Sequence, residues 1–118
     1  MKSLTWKHLV VINIVVLLVI IGGIYIYKLT GESYRYDELI KNGHSFMDKG
    51  QWGPAAKEFS EAAKIKPDDY DPHYGVGAAL LKLKQLDKAV VALENAVRIN
   101  PEAIEAHYAL GMTYHRMG

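Results

Sequence analysis

The sequence predicts an all-α protein in which a single N-terminal transmembrane helix precedes an α-solenoid of antiparallel helix pairs. Two observations lead to this prediction. Residues 9–27 carry no charge, have Asn13 as their only strongly polar side chain and are numerous enough to span a bilayer. The remaining sequence repeats itself at a constant interval of about one helix pair, as Gly43, Gly77 and Gly111 illustrate. Stacked units of this size share one continuous core.

The N-terminal apolar run has the properties of a membrane span. Residues 9–27 would extend for roughly 28 Å as a helix, close to the hydrocarbon thickness of a bilayer. Every face of that helix is apolar, whereas a surface helix of a soluble protein keeps one polar face. Trp6 lies at one edge and Tyr25 and Tyr27 lie at the other, where aromatic rings favour the membrane interface.

A cleaved signal peptide is the alternative interpretation of this run. The run is longer than the usual apolar region of about 7–15 residues, and no small-x-small cleavage site follows it. Before Gly22 and Gly23, the bulky Ile21 occupies the place of the upstream small residue. We therefore expect a retained single-pass anchor in contact with membrane lipid.

The positive charges beside the span do not fix its orientation. Lys2, Lys7 and the terminal amine precede it, and Lys28, Arg35 and Lys41 follow it. A short basic tail ahead of a first apolar segment usually stays in the cytoplasm. We therefore expect the repeats on the extracytoplasmic, periplasmic-type side.

Composition excludes several classes of function. The chain has no cysteine, so it contains no disulfide, zinc–thiolate site or cysteine nucleophile. The 14 Lys and Arg residues against 13 Asp and Glu residues do not predict a nucleic-acid partner. No hydrolase, zinc-protease, phosphate-loop or dinucleotide motif is present. His73 and His107 recur at the repeat spacing, but two residues are too few for a metal site. We expect no enzyme activity, no metal and no cofactor.

The repeat divides the chain into an anchor (1–29), a polar linker (30–35) and repeats at 36–69, 70–103 and, in part, 104–118. Glycine inside a helix costs up to about 1 kcal/mol relative to alanine, so its recurrence indicates that paired helices touch there. Recurring alanines offer small surfaces opposite, large apolar residues fill the gaps, and prolines end each second helix. The predicted packing residues are Gly43, Gly77, Gly111, Ala55, Ala89, Phe59, Leu93, Ala62, Ala96, Pro67 and Pro101. The predicted helices are 36–49, 54–66, 71–84, 87–99 and 102–117.

These residues resemble the tetratricopeptide repeat (TPR), whose pattern is W-x₂-L-G-x₂-Y, then A-x₃-F, then P, over about 34 residues. The resemblance covers residues 36–118 and implies a TPR-type solenoid. Repeat one departs from the pattern at Leu39 and Asn42, where an aromatic residue and a leucine are typical. Repeat three stops after one helix, although solenoids normally finish with a capping helix. We expect the native chain to continue past Gly118, with a native stop as the alternative.

The resemblance also implies a concave groove lined by the first helix of each repeat, in which other proteins bind. Family members that capture a C-terminal carboxylate use Lys, Asn and Arg there, at places that this chain fills with Ile40, His44, Gly75, Glu105 and Ala109. Capture of a chaperone tail in that manner is therefore not expected. An apolar, aromatic groove instead suits a helix or an extended peptide. Its predicted lining is Ile40, His44, Met47, Tyr74, Ala78, Leu81, Lys82, Tyr108, Met112 and His115.

The expected function is that of a membrane-anchored scaffold or adaptor, an accessory subunit or assembly factor of a membrane complex. Its expected partners are a peptide or helix in the groove and transmembrane helices of the complex. One alternative is a chaperone-like or secretion factor that holds envelope client proteins. Another is the anchoring arm of a longer protein.

Overall fold

The computed structural model describes residues 5–118, which form five α-helices and no strand. Contacts divide the chain into one unit that ends at Tyr34 and a second unit, Arg35–Gly118. The all-α prediction is confirmed. Lys2, one of the basic residues predicted to flank the span, lies outside the described residues. The helices are α1 (Trp6–Asp48), α2 (Trp52–Ile65), α3 (Tyr70–Lys82), α4 (Leu86–Ile99) and α5 (Ile104–Met117).

The first unit contains the apolar part of α1. Among the described residues, α1 is the one helix that is long and apolar enough to cross a membrane, and none of that apolar stretch is buried within the protein. Large side chains such as Leu18 and Val19 are exposed along its whole length. Length and composition alone support this assignment, and an N-terminal signal sequence meets the same criterion. The membrane span therefore stays a prediction.

Residues 30–35, predicted as a linker, are helical and belong to α1. The hydroxyl of Thr30 donates to the carbonyl oxygens of Ile26 and Tyr27, both at 3.0 Å, so the helix satisfies this polar side chain internally. No proline interrupts this stretch. The first helix consequently starts well before residue 36, whereas the other helices begin and end within about two residues of their predicted limits.

The core of the second unit lies between consecutive helices. Within the described residues, α3 packs against α2 and α4, and α4 packs against α5. Burying a Phe or Leu side chain is worth about 1.5–3 kcal/mol, so Phe59 and Leu93 are the main contributors at these joints. Small residues around them let the helices approach. The predicted packing residues that are fully buried are Ala55, Phe59, Ala62, Ala89, Leu93 and Ala96.

Two of the predicted glycines lie where no side chain fits. A Cβ at Gly43 would lie 2.7 Å from Phe59 Cε1, and a Cβ at Gly77 would lie 2.5 Å from Leu93 Cγ. A Cβ at Gly75 would likewise lie 2.6 Å from Phe59 Cγ, so the ring of Phe59 lies between two glycines. Gly111 differs from its prediction. It is exposed with nothing within 4 Å, because no described helix packs on that face of α5.

The turns that end α1 and α3 share one geometry. Gly50 and Lys84, which occupy equivalent places in successive repeats, have left-handed φ angles of 69° and 60°. The next N–H groups close the turns: Gln51 donates to the carbonyl of Phe46 at 2.8 Å, and Gln85 donates to that of Leu80 at 3.0 Å. The predicted stops Pro67 and Pro101 each follow a second helix by two residues, since α2 and α4 end at residues 65 and 99.

Candidate functional site

The second unit contains an open groove of about 210 Å³ between the first helices of its repeats. Small-molecule sites usually measure about 300–1,000 Å³, so a groove of this size suits one or two side chains of a peptide. Its floor is apolar and aromatic, and its rim is charged. The lining residues are Met47, Tyr74, Ala78, Leu81, Lys82, Glu105, Tyr108, Ala109, Met112 and Arg116.

The structure brings most of the predicted groove residues together and leaves three outside. Ile40 is half-buried against the cluster around Phe59. His44 packs the edge of its ring on Phe59, with 5.1 Å between ring centroids. His115 lines an adjoining hollow of about 320 Å³ together with Tyr108 and Met112. Ile40 and His44 therefore both contact the packing around Phe59, Ile40 with a half-buried side chain and His44 with an exposed one.

Three residues outside the predicted lining also line the groove; sequence reasoning named Glu105 and Ala109 only as departures from the carboxylate-binding pattern and did not name Arg116. Glu105, Ala109 and Arg116 all come from α5. The repeat spacing carried a signal for two of them, because Glu105 follows Asp71 by one repeat length and Arg116 follows Lys82 by the same interval. Charges that recur at the repeat period share one face of the solenoid, and in this protein that face carries the groove.

Tyr74, which lines the groove, stacks on Tyr70 outside the lining. Tyr70 and Tyr74 lie nearly parallel, with 5.6 Å between ring centroids. The Tyr70 hydroxyl donates to Glu105 at 2.9 Å. Burial, followed by the charge of Glu105, raises the pKa of the Tyr74 hydroxyl, which stays protonated at neutral pH. Tyr108 is 69% exposed, so its ring is a large apolar surface open to a partner.

The recurring histidines have a structural role. His73 Nε2 donates to the carbonyl of Pro67, and His107 Nε2 donates to that of Pro101, each at 2.7 Å. A carbonyl oxygen only accepts, so each ring nitrogen must carry the proton. These two bonds tie each first helix to the turn before it. Among the described residues, no group of three His, Cys, Asp or Glu side chains is placed to hold a metal ion.

The comparisons with known proteins agree with this architecture. The chain is 36% identical to the Hsp70-Hsp90 organising protein of Plasmodium falciparum (isolate 3D7) over 70 residues, which are 56% of this chain and 12% of that protein. It superposes on the TPR2B domain of yeast Sti1, solved in complex with pHsp70, with a TM-score of 0.69, 23% identity and coverage of 71% of this chain and 67% of that one. For MamA, the TM-score is 0.70 with 26% identity, over 80% of this chain and 55% of that one.

A family-level match covers most of the second unit. The model of the TPR repeat family matches residues 43–84 and 79–118, which together exceed half of the chain. The match includes both turn geometries, the glycine positions packed against Phe59 and Leu93, and every residue that lines the groove. The chain therefore belongs to the TPR repeat family, whose repeats form protein–protein interaction modules.

Proposed function

We propose that this protein is a membrane-anchored scaffold or adaptor that holds another protein in the groove, as an accessory subunit or assembly factor of a membrane complex. The observation that carries the proposal is the aromatic groove itself. Tyr74 and Tyr108 present apolar ring surface on its walls, and Tyr108 is 69% exposed. Tyrosines of this kind are typical anchors of protein interfaces, because a partner removes their ring surface from water while their hydroxyls remain hydrogen-bonded.

The apolar part of α1 supports the membrane part of the proposal. Its exposed side chains would remain in contact with water in a soluble protein, and contiguous apolar surface of that extent is rare on soluble monomers. Insertion in a bilayer removes that surface from water and satisfies the backbone internally. From the short basic tail ahead of the span, we propose that the repeats lie on the extracytoplasmic side of the membrane and that the anchor contacts lipid and transmembrane helices of the complex.

The relatives favour a second candidate, the capture of a chaperone peptide in the groove. The Lys, Asn and Arg residues with which family members hold a C-terminal carboxylate argue against this candidate. In this chain, three of their positions are occupied by Ile40, Gly75 and Glu105. An asparagine side chain has no room at Gly75, where a Cβ would lie 2.6 Å from Phe59 Cγ. Glu105 lines the groove and would repel a terminal carboxylate. We therefore rank the scaffold ahead of a factor that holds chaperones or envelope clients.

The test is recovery of partners from membranes solubilised with mild detergent. We expect Tyr74→Ala/Tyr108→Ala to weaken binding by about thirtyfold or more, because truncation of an interface tyrosine commonly costs about 2 kcal/mol. The matched control is Tyr114→Ala, which removes the same side chain from α5 outside the groove. Helix content of each variant is checked by circular dichroism before the comparison.

Equal recovery with both variants would remove the groove as the binding surface. The stoichiometry of the recovered proteins separates the candidates. One partner at a fixed ratio supports the scaffold, whereas many partners at low ratios support a factor that holds clients. A chaperone recovered through its C-terminal peptide supports the second candidate.

A further inference from the structure

The groove carries opposite charges at its two ends. Lys82 lies in the last turn of α3 and Arg116 lies in the last turn of α5, and both line the groove. Glu105 lines it from the first turn of α5. The hydrogen bond from Tyr70 to Glu105 joins the beginnings of α3 and α5, so the two helices start at the same end. The two cations therefore share the opposite end.

More negative charge gathers around the end marked by Glu105. Asp71 lies in the first turn of α3, at the place that Glu105 occupies in the next repeat. Burial raises the pKa of the Tyr70 hydroxyl, and the hydrogen bond to Glu105 and the charges of Glu105 and Asp71 raise it further. The carboxylates are thus close enough to one tyrosine to act on it together. This end of the groove attracts cations.

The two cations at the other end are available to a partner. Within residues 5–118, the ion pairs of the structure join Glu61 to Arg35 and to Lys64, and neither involves Lys82 or Arg116. The ammonium of Lys82 lies 5.6 Å from the ring centroid of Trp52, a contact that steadies the side chain without neutralising its charge. Both side chains are exposed.

We propose that the groove binds an amphipathic peptide segment of a partner protein, with an acidic side chain at the Lys82 and Arg116 end. A basic side chain of the same segment lies toward Glu105, and apolar side chains between the two contact Tyr74 and Tyr108. This inference rests on the proposed function, in which the groove holds a protein. Charge complementarity of this kind orients the segment and speeds its association more than it adds affinity.

The structure also sets the spacing of these charges. Glu105 and Arg116 lie on one helix and are separated by about 16 Å along its axis. A bound helix would match that distance with an acidic and a basic residue about 11 positions apart. An extended segment would match it with about 5 positions.

The test is selection from a phage library of random peptides about 16 residues long, enough to span the groove as a helix. The bait is the full chain in lipid nanodiscs, after depletion of the library on empty nanodiscs. The charge variant is Lys82→Glu/Arg116→Glu. Its matched control is Lys57→Glu/Lys88→Glu, which changes the net charge equally at two exposed lysines outside the groove. The third variant is Tyr74→Ala/Tyr108→Ala.

The wild type and the Lys57/Lys88 control should enrich apolar peptides that carry an acid and a base at one of the two spacings. The Lys82/Arg116 variant should bind those peptides at least about tenfold more weakly, a loss of about 1.4 kcal/mol. The contrary result is a set of enriched peptides that depend on the two tyrosines, show no preference for an acidic residue and bind the charge variant as tightly as the wild type. That result would overturn this inference and leave the proposed function standing. Enrichment of no tyrosine-dependent peptide would overturn both.

Discussion

Replacement of Gly77 by alanine tests the helix packing most directly. The new Cβ would lie 2.5 Å from Leu93 Cγ, 2.6 Å from Leu93 Cδ2 and 3.3 Å from the Leu93 backbone nitrogen. Leu93 is fully buried, so its side chain has no free space into which to move. Overpacking of this kind costs about 1–3 kcal/mol, against a gain of up to about 1 kcal/mol from the higher helix propensity of alanine.

We therefore expect Gly77→Ala to lower the free energy of unfolding by about 1–2 kcal/mol, or the Tm by roughly 4–16 °C for a unit of this size. The control is Gly111→Ala, at the same place in the next repeat, where nothing lies within 4 Å. That variant should gain about 0.5–1 kcal/mol from propensity alone. Urea unfolding of the full chain in detergent, followed by circular dichroism, measures both. If Gly77→Ala is as stable as the wild type, the packing described for α3 and α4 is wrong.

Three further predictions concern the anchor, a turn and two tyrosines. N-terminal sequencing of membrane-purified protein should begin at or near Met1, because the span lacks a good cleavage site; a start beyond Gly23 would contradict the anchor. Lys84→Gly should raise the free energy of unfolding by about 1 kcal/mol, because glycine adopts the observed φ of 60° without strain; an unchanged urea midpoint would contradict this. Burial, then hydrogen bonds to carboxylates, raise the pKa of Tyr36 and Tyr70, so their contribution to stability is full below pH 10 and falls above it. The variant Tyr36→Phe/Tyr70→Phe should therefore lose less free energy of unfolding above pH 10 than the wild type does. Equal losses in the two proteins would rule out this role of the tyrosines.

The repeat period predicted most of the fold because it reflects contacts that every repeat must make between its two helices. Gly43 and Gly77 recur at the repeat period, and each meets a large side chain of its own second helix. The spacing could not show that Gly111 stays open, since that depends on the presence of a further helix. Gly75 was not among the predicted packing residues because it breaks the period, although a Cβ there would lie as close to Phe59 as one at Gly43.

The groove could be predicted only in part. Family geometry identified its tyrosines and small apolar residues, but not that Ile40 and His44 would contact the packing around Phe59 and lie outside the lining. The charged rim required a search for recurring charges as well as recurring apolar residues. Residues 30–35 read as a linker because they are polar, but a helix tolerates polar surface when no proline breaks it.

The position of Phe59 between Gly43 and Gly75 couples the first two repeats. One ring from α2 fills space against both α1 and α3, so α1 cannot separate from α2 without loosening the contact with α3. In the nearest-neighbour description of repeat proteins, this ring contributes to the interface energy between two repeats as well as to the stability of one repeat. The first three helices of the repeat region should therefore exchange their amide hydrogens as one cooperative block.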